Sequence, residues 1–237
     1  MSIESESVVI IGGSSGIGLA IARQAVDAGA EVTIAGRSEA KLETAREAIA
    51  GDVTIRTVDV ADEQSVKRLF SEVGRIDHLV VSGSSVKTGA LRDLSLADAR
   101  AAMDSKFWGQ YLAARYAEIR AGGSITLFSG ILSRRPPRGF ASLAAINGAV
   151  EALGRALAVE LAPIRVNVIS PGLTDTPAYA GMPEDARQGM FGAAAKKLPV
   201  GRVGQPEDIA SLALELMSNR FMTGGVIDVD GGGLLAG

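Results

Sequence analysis

The stretch that decides the fold lies near the N-terminus, where residues 8–22 read VVIIGGSSGIGLAIA. The apolar run Val8–Ile11 predicts a buried strand, and the pattern that follows Gly18 predicts a helix. Gly12, Gly16 and Gly18 lie at the start of that helix, where free N–H groups and the positive end of the helix dipole attract an anion. A pyrophosphate approaches the backbone closely, so positions without side chains suit it. The stretch therefore predicts a dinucleotide site, and the alternative is an ordinary tight turn.

Short runs of β-branched residues alternate with longer helical patterns along the whole chain. The predicted strands are Val8–Ile11, Val32–Ala35, Val53–Val58, Leu79–Val81, Ile125–Phe128, Val166–Ile169 and Val226–Val229. Apolar strands joined by helices predict a parallel sheet with helices on both faces. We expect an α/β fold of the Rossmann type, doubly wound around about seven parallel strands.

Residues 1–237 are expected to form a single domain, because no Gly/Pro/Ser-rich linker divides the 237-residue chain. Proline and glycine recur after residue 171, and a lid over the substrate is expected at about 177–200.

Composition excludes several classes of function. The chain has no cysteine, so disulfides, thiolate metal ligands and cysteine nucleophiles are ruled out, and we expect no metal. The net charge of −3 is small and the basic residues form no run, which argues against a nucleic-acid partner. The first residues are polar and acidic, and no apolar run in the sequence approaches membrane-spanning length. We therefore expect a cytoplasmic protein without a membrane partner.

The second predicted strand ends in Gly36-Arg37-Ser38, about twenty residues after the glycines, where an acidic residue would bind the ribose 2′-hydroxyl of NAD. A guanidinium group suits a 2′-phosphate better than a hydroxyl. Because Gly36 replaces the acidic residue and Arg37 follows it, the sequence favours NADP(H). The alternative is that Arg37 is a solvated charge at a strand end.

Five landmarks in order make the chain similar to the short-chain dehydrogenase/reductase family, from Ser7 almost to the C-terminus. They are Gly12-x-x-x-Gly16-x-Gly18, Val58-Asp59-Val60, residues 166–172 (VNVISPG) with Thr176, residues 201–210 (GRVGQPEDIA), and Thr223-Gly224-Gly225 with Asp230-Gly231-Gly232. The resemblance implies hydride transfer between nicotinamide and a carbonyl or alcohol of a small molecule. It also implies a homodimer or homotetramer, paired through long helices over roughly 96–120 and 142–161.

The resemblance and the residue types together give a set of positions expected to bind the cofactor. Asp59 is assigned to the adenine ring; capping of the following helix is the alternative, for which Asp62 competes better. The full set is Gly12, Ser14, Ser15, Gly16, Ile17, Gly18, Arg37, Ser38, Asp59, Val60, Ser82, Gly83, Asn147, Pro171, Gly172, Thr174 and Thr176.

The chain departs from the family at all four catalytic positions. Leu143 occupies the place of the Tyr acid, and Asn147 that of the Lys four residues later. The family's Ser falls on Gly130, and a shift of one residue would bring Ser129 to the site. Lys106 stands where the family has Asn on the long helix.

These departures change the expected chemistry. Leucine cannot donate a proton, and asparagine carries no charge that would lower a neighbour's pKa. We expect Lys106 with Ser129 to supply the proton and Asn147 to bind the nicotinamide ribose. The alternative is that Lys106 extends to solvent along its helix. The only histidine, His78, adjoins a buried strand and is expected to be structural.

Three functional hypotheses follow from the sequence. The first, which we favour, is an NADP(H)-dependent oxidoreductase with a non-standard active site. The second is a catalytically inactive NADP(H)-binding sensor or partner subunit. The third is a structural module without a cofactor, and the intact glycine turn and Arg37 argue against it.

Overall fold

The computed structural model describes residues 3–236. Its strands are β1 (Ser7–Ile11), β2 (Glu31–Gly36), β3 (Val53–Thr57), β4 (Ile76–Val81), β5 (Ile119–Phe128), β6 (Arg165–Pro171) and β7 (Val226–Val229). All pair in parallel in one sheet of order β3-β2-β1-β4-β5-β6-β7. The predicted seven-stranded, doubly wound α/β fold is confirmed. The strand order reverses between β1 and β4, and open sheets of this kind bind ligands at the carboxyl ends of such strands.

Helices connect the strands and cover both faces of the sheet. They are α1 (Gly16–Asp27), α2 (Glu39–Ala48), α3 (Glu63–Val73), α4 (Leu96–Met103), α5 (Gly109–Tyr116), α6 (Ala141–Glu160), α7 (Glu184–Ala195) and α8 (Pro206–Ser218). A π-helical turn over Asp104–Trp108 joins α4 to α5 without a break. Short 3₁₀ turns lie at Ile131–Ser133 and Pro177–Tyr179.

Two hydrophobic cores lie on opposite faces of the sheet. Along β1, Val8 and Ile10 belong to the core under α1 and α8, whereas Val9 and Ile11 belong to the core under α3, α5 and α6. Side chains alternate between the two faces of a strand, so a strand covered on both faces is apolar throughout. This is why the continuous run of residues 8–11 predicted the centre of the sheet.

The amino-terminal edge of the sheet holds a buried polar pair. His78 in β4 places Nδ1 2.8 Å from Ser124 Oγ and Nε2 2.7 Å from Glu6 Oε2. Burial lowers the pKa of His78 below its usual 6.5, even though the neighbouring Glu6 carboxylate acts in the opposite direction. The histidine lies at the opposite end of the strands from the predicted cofactor turn, which agrees with a structural role.

Helix α6 corrects one sequence expectation. Its 20 residues, Ala141–Glu160, are long and apolar enough to cross a membrane by length and composition, although no such run was expected. One helix of this kind is weak evidence for a membrane span. One face of it packs against β5 and β6 and buries the polar residues Asn147 and Glu151.

Candidate functional site

A cavity of about 240 Å³ opens at the carboxyl ends of β1, β2 and β4. Its walls are formed by Ile11, Gly12, Ser14, Ser15, Gly36, Arg37, Ser38, Lys41, Val58, Asp59, Val60, Gly83, Ser84, Ser85 and Ser105. The structure thus brings together residues from four separate stretches of the sequence that were predicted to bind one cofactor. The cavity lies where the strand order reverses, which is the expected place for a nucleotide in this fold.

The glycine turn forms a backbone cradle at this cavity. Gly12 has φ +88°, and a Cβ built on it would lie 2.4 Å from the backbone nitrogen of Gly83. A Cβ on Gly18 would lie 2.2 Å from the carbonyl oxygen of Gly12. Side chains are therefore excluded at both positions, and the N-terminus of α1 stays accessible to an anion. The cradle fits the pyrophosphate of a dinucleotide.

Two cations lie together at the β2 end of the cavity. Arg37 and Lys41 are exposed. Among the described residues, neither side chain has a hydrogen-bond or ion-pair partner. Sequence reasoning found Arg37 and missed Lys41, whose only signal was its place in the first turn of the helix after β2. Two neighbouring cations without an anionic partner are suited to bind a phosphate group.

Asp59 lies on the wall of the cavity between β3 and α3. Its Oδ1 accepts a hydrogen bond from the N–H of Ala61 at 3.1 Å. The cap of α3 is Asp62, whose Oδ1 accepts from the N–H of Gln64 at 2.9 Å. The capping alternative for Asp59 is therefore wrong, and its second carboxylate oxygen remains available to a ligand.

The loop after β6 closes against the glycine turn. The N–H of Gly172 donates to the carbonyl of Val229 at 2.9 Å, and Thr174 Oγ1 donates to the carbonyl of Gly172 at 3.1 Å. A Cβ on Gly16 would lie 3.4 Å from Cβ of Thr176. The structure thus brings Thr176 to the glycine turn, whereas Gly172 and Thr174 form hydrogen bonds to β7 and within the loop. Ser82 also joins this cluster, because its Oγ donates to the carbonyl of Ile11 at 3.2 Å.

Lys106 lies in the π-helical turn and points into the protein. Its Nζ donates to the backbone carbonyl of Ser129 at 2.9 Å. The residue as a whole is half-buried, but protein atoms enclose its ammonium group, and this burial lowers the pKa of Lys106 to about 8. The alternative of a side chain extended to solvent is therefore wrong.

Asn147 lies in α6 with 1% of its surface exposed. Its Nδ2 donates to the carbonyl of Gly130 at 3.3 Å, while its Oδ1 has no hydrogen-bond partner. A buried acceptor without a donor is costly, so this oxygen fits a ligand hydroxyl. Lys106 and Asn147 thus bind consecutive carbonyls, those of Ser129 and Gly130.

Ser129 contributes its backbone to this cluster and turns its side chain away. Its Oγ donates to Glu151 Oε1 at 3.2 Å, and Ser133 Oγ donates to the same oxygen at 2.6 Å. The N–H of Ser129 binds the carbonyl of Ile169 at 2.9 Å, which fixes the strand register. The Ser129 hydroxyl is thus directed to Glu151 and not toward Lys106, so the structure does not bring it to the predicted proton donor.

Gly130 is the residue that the sequence analysis assigned to the family's Ser position. A Cβ built there would lie 3.1 Å from Asn147 Nδ2. Leu143, at the place of the family's Tyr, is half-buried one turn before Asn147. Two of the four family positions therefore carry no group that donates a proton.

The segment predicted as a lid folds into the 3₁₀ turn Pro177–Tyr179 and helix α7. The rings of Tyr179 and Phe191 meet edge to face, with centroids 5.5 Å apart. Burial raises the pKa of Tyr179, so its hydroxyl stays protonated at neutral pH. The movement of this segment as a lid stays a prediction.

Comparison with known proteins gives one consistent result. A family model described as enoyl-(acyl carrier protein) reductase matches residues 12–233. Short-chain dehydrogenase/reductase ATR9 of Stachybotrys chlorohalonatus is 35% identical, with 99% of each chain aligned. A solved small-chain dehydrogenase in complex with NADPH is 42% identical, with a TM-score of 0.84 over 98% of this chain and 100% of that one. The MalC reductase/Diels-Alderase of Malbranchea aurantiaca is 32% identical, with a TM-score of 0.91 over 98% of both.

Proposed function

Because the chain belongs to the short-chain dehydrogenase/reductase family, we propose that it is an NADP(H)-dependent oxidoreductase with a non-standard active site. The proposed reaction transfers hydride between nicotinamide and the carbon of a carbonyl or alcohol. The observation that carries the proposal is the enclosed ammonium of Lys106, held beside Asn147 at the carboxyl edge of the sheet. NADP(H), when bound, supplies or accepts the hydride.

The cofactor assignment rests on the cradle and the two cations. The backbone around Gly12 and Gly18 takes the pyrophosphate, and Arg37 with Lys41 takes the 2′-phosphate. The unpartnered Oδ1 of Asn147 accepts a hydrogen bond from a hydroxyl of the nicotinamide ribose. The NADPH complex of a 42% identical relative supports the same cofactor.

Lys106 is the proposed proton donor. In the reducing direction, one N–H of its ammonium transfers a proton to the substrate oxygen as hydride reaches the carbonyl carbon, which yields the alcohol and a neutral amine. The amine then takes a proton from water. With a pKa of about 8, the group is protonated at neutral pH and is a stronger acid than an ordinary lysine. Ser129 serves by presenting the carbonyl that holds Nζ.

A second candidate function is a catalytically inactive NADP(H)-binding sensor or partner subunit. The observation that favours it is the loss of proton-donating groups at Leu143 and Gly130. Turnover is the property that separates the two candidates.

We further propose a cytoplasmic homodimer or homotetramer that acts on a small molecule. The argument for the association of subunits is the presence of exposed apolar residues along the long helices. Trp108 is 46% exposed in the π-helical turn, and Val159 is 81% exposed on α6.

The test combines cofactor titration with NADPH oxidation by the full chain against ketones, aldehydes and quinones. We expect turnover with at least one class of acceptor, and we expect Lys106→Met to lower kcat by about 10²–10⁴-fold. Lys67→Met, which removes a surface lysine paired with Glu63, is the matched control and is expected to leave kcat unchanged. Unchanged turnover in Lys106→Met would refute the proton donor, and NADPH binding without any turnover would favour the sensor.

A further inference from the structure

A buried amide lies next to the candidate proton donor. Gln110, near the start of α5, has 2% of its surface exposed. Its Nε2 donates to the carbonyl of Lys106 at 2.9 Å and to the carbonyl of Phe128 at 3.1 Å. Its Oε1 accepts from the N–H of Phe128 at 2.7 Å. Both N–H groups and the oxygen of this amide are therefore satisfied by backbone.

The contacts with Phe128 compensate for a missing strand partner. β4 pairs with β5 only as far as Val81 opposite Leu127. The N–H and carbonyl of Phe128 lie beyond that last pair, at the end of β5. The amide of Gln110 binds both groups, so it acts as one further residue of the neighbouring strand. Because buried backbone groups are rarely left unpaired, the end of β5 depends on this side chain.

The contact with Lys106 completes a closed set of hydrogen bonds. The backbone of Lys106 is joined through Gln110 to Phe128. The side chain of Lys106 is joined directly to Ser129, the residue after Phe128. Lys106 is thus held to the end of β5 at both its carbonyl and its ammonium. The carbonyl lies in a π-helical turn, a geometry that is rare and is often found at functional sites.

From this arrangement we propose that Gln110 is a positioning residue that holds the ammonium of Lys106 in the active site. The inference rests on the proposed function, because holding the ammonium in place serves the reaction only if Lys106 donates the proton. Gln110 is bound to backbone on every side, so it acts through Lys106 and not on the substrate.

The ionisation of Lys106 reports on its position. Burial is the one cause that shifts its pKa, and the only hydrogen bond of Nζ among the described residues goes to a carbonyl. The carboxylate of Glu151 on α6 is bound by the hydroxyls of Ser129 and Ser133. An ammonium released toward solvent therefore returns toward its ordinary pKa of 10.5.

The test is an NMR pH titration of the full chain labelled with ¹³C-lysine. The resonance of Lys106 is identified by its loss in Lys106→Met. Gln110→Met keeps the length of the side chain and removes the amide. We expect the Lys106 midpoint to rise by one pH unit or more, about tenfold in acidity, and an unchanged midpoint would overturn the proposal. If Gln110→Met fails to fold, Gln110→Asn is used, because the shorter amide cannot span both residues and the same rise is expected.

The matched control is a second buried amide, whose hydrogen bonds do not involve Lys106. Asn167 in β6 donates from Nδ2 to the carbonyl of Met222 at 2.8 Å and accepts from the N–H of Gly225 at 3.1 Å. Asn167→Leu is expected to lower Tm while leaving the Lys106 midpoint in place. An equal shift in this variant would mean that general loosening moves Lys106, which would refute positioning. A chain that binds NADPH without turnover would sink the proposed function and leave the titration result standing.

Discussion

At the scale of single residues, the site is organised by two side chains whose types are exchanged relative to the family. Lys106 replaces an Asn and Asn147 replaces a Lys, and they bind the adjacent carbonyls of Ser129 and Gly130. By the sequence assignment of these positions, the positive charge lies in the π-helical turn and an amide lies on α6, where the family resemblance implies the lysine. Under the proposed function, Lys106 is the group that donates the proton.

The new place of this charge predicts a pH dependence of cofactor binding. Protonated Lys106 repels the positive ring of NADP⁺, and this repulsion disappears as the pH rises through about 8. We expect the Kd of NADP⁺ to fall across pH 7–9, while the Kd of NADPH changes less. Calorimetric titration across this range measures both. In Lys106→Met the dependence should be lost, and its survival there would assign it to another group.

The two cations at the β2 end of the cavity predict a preference for NADPH over NADH. A hydrogen bond to a charged group contributes on the order of 1.5–3 kcal/mol, so Arg37→Ala should weaken NADPH binding roughly tenfold or more. NADH binding should stay nearly constant. Lys41→Ala should act in the same direction.

Arg46→Ala is the control for this prediction, since Arg46 lies on α2 and is paired with Glu43. Calorimetry gives all affinities. Equal binding of NADPH and NADH by the wild-type chain would contradict the assignment of the 2′-phosphate.

At the scale of elements, β4 carries function at one end and stability at the other. Its carboxyl end leads to Gly83 in the cofactor cradle, and its amino-terminal part carries buried His78. The carboxyl end of β4 therefore affects cofactor binding, and its amino-terminal part affects how stability depends on pH.

His78 predicts that the free energy of unfolding falls as the pH drops below about 6.5. Its pKa in the folded chain is lowered from 6.5, so below pH 6.5 the unfolded chain binds a proton more readily than the folded chain does. The contribution of neutral His78 to the free energy of unfolding is fully present above pH 6.5 and is lost as the pH falls below that value. Urea unfolding between pH 5 and 8 measures the slope, and His78→Gln should reduce it. An unchanged slope in that variant would show that other groups titrate.

At the scale of the whole molecule, the proposed oligomer would form through the long helices. A Cβ on Gly148 in α6 would meet no atom within 4 Å in the single chain. An arginine is therefore tolerated there by the fold, but it blocks close contact between helices of two chains. We expect Gly148→Arg to dissociate the proposed oligomer without lowering the Tm of the subunit. Sedimentation measures the mass, and an intact assembly in this variant would exclude α6 from the interface.

The sequence predicted the sheet well because its strands are apolar on both faces. The ends of the strands were predicted less accurately where the apolar pattern stops before the strand does. β5 was predicted from Ile125 but begins at Ile119, because residues 120–122 are exposed and carry no apolar pattern. Ile119 pairs with Ile76, and an irregularity in the register follows before Ser124 pairs with His78.

The cofactor turn was predictable for a different reason. The glycines, the helix start and the strand end are neighbours in sequence, so their geometry is local. Gln110 and Glu151 were missed because their roles depend on Phe128, Ser129 and Ser133, which only the fold brings near. The orientation of Ser129 was misjudged because the strand register, set by Ile169, decides which side its hydroxyl faces.

The π-helical turn has a consequence for how the active site responds to changes in chain length. Gly109, directly after the turn, packs so closely on Val60 that a Cβ would lie 2.7 Å from Cγ2 of that residue. This contact fixes the rotation of α5, so the wider turn must be accommodated before it. Deleting one residue from Asp104–Trp108 would return this turn to ordinary helical winding, in which successive side chains are about 100° apart around the axis. Because Lys106 lies inside the turn, the deletion would change which side chain faces the carbonyl of Ser129.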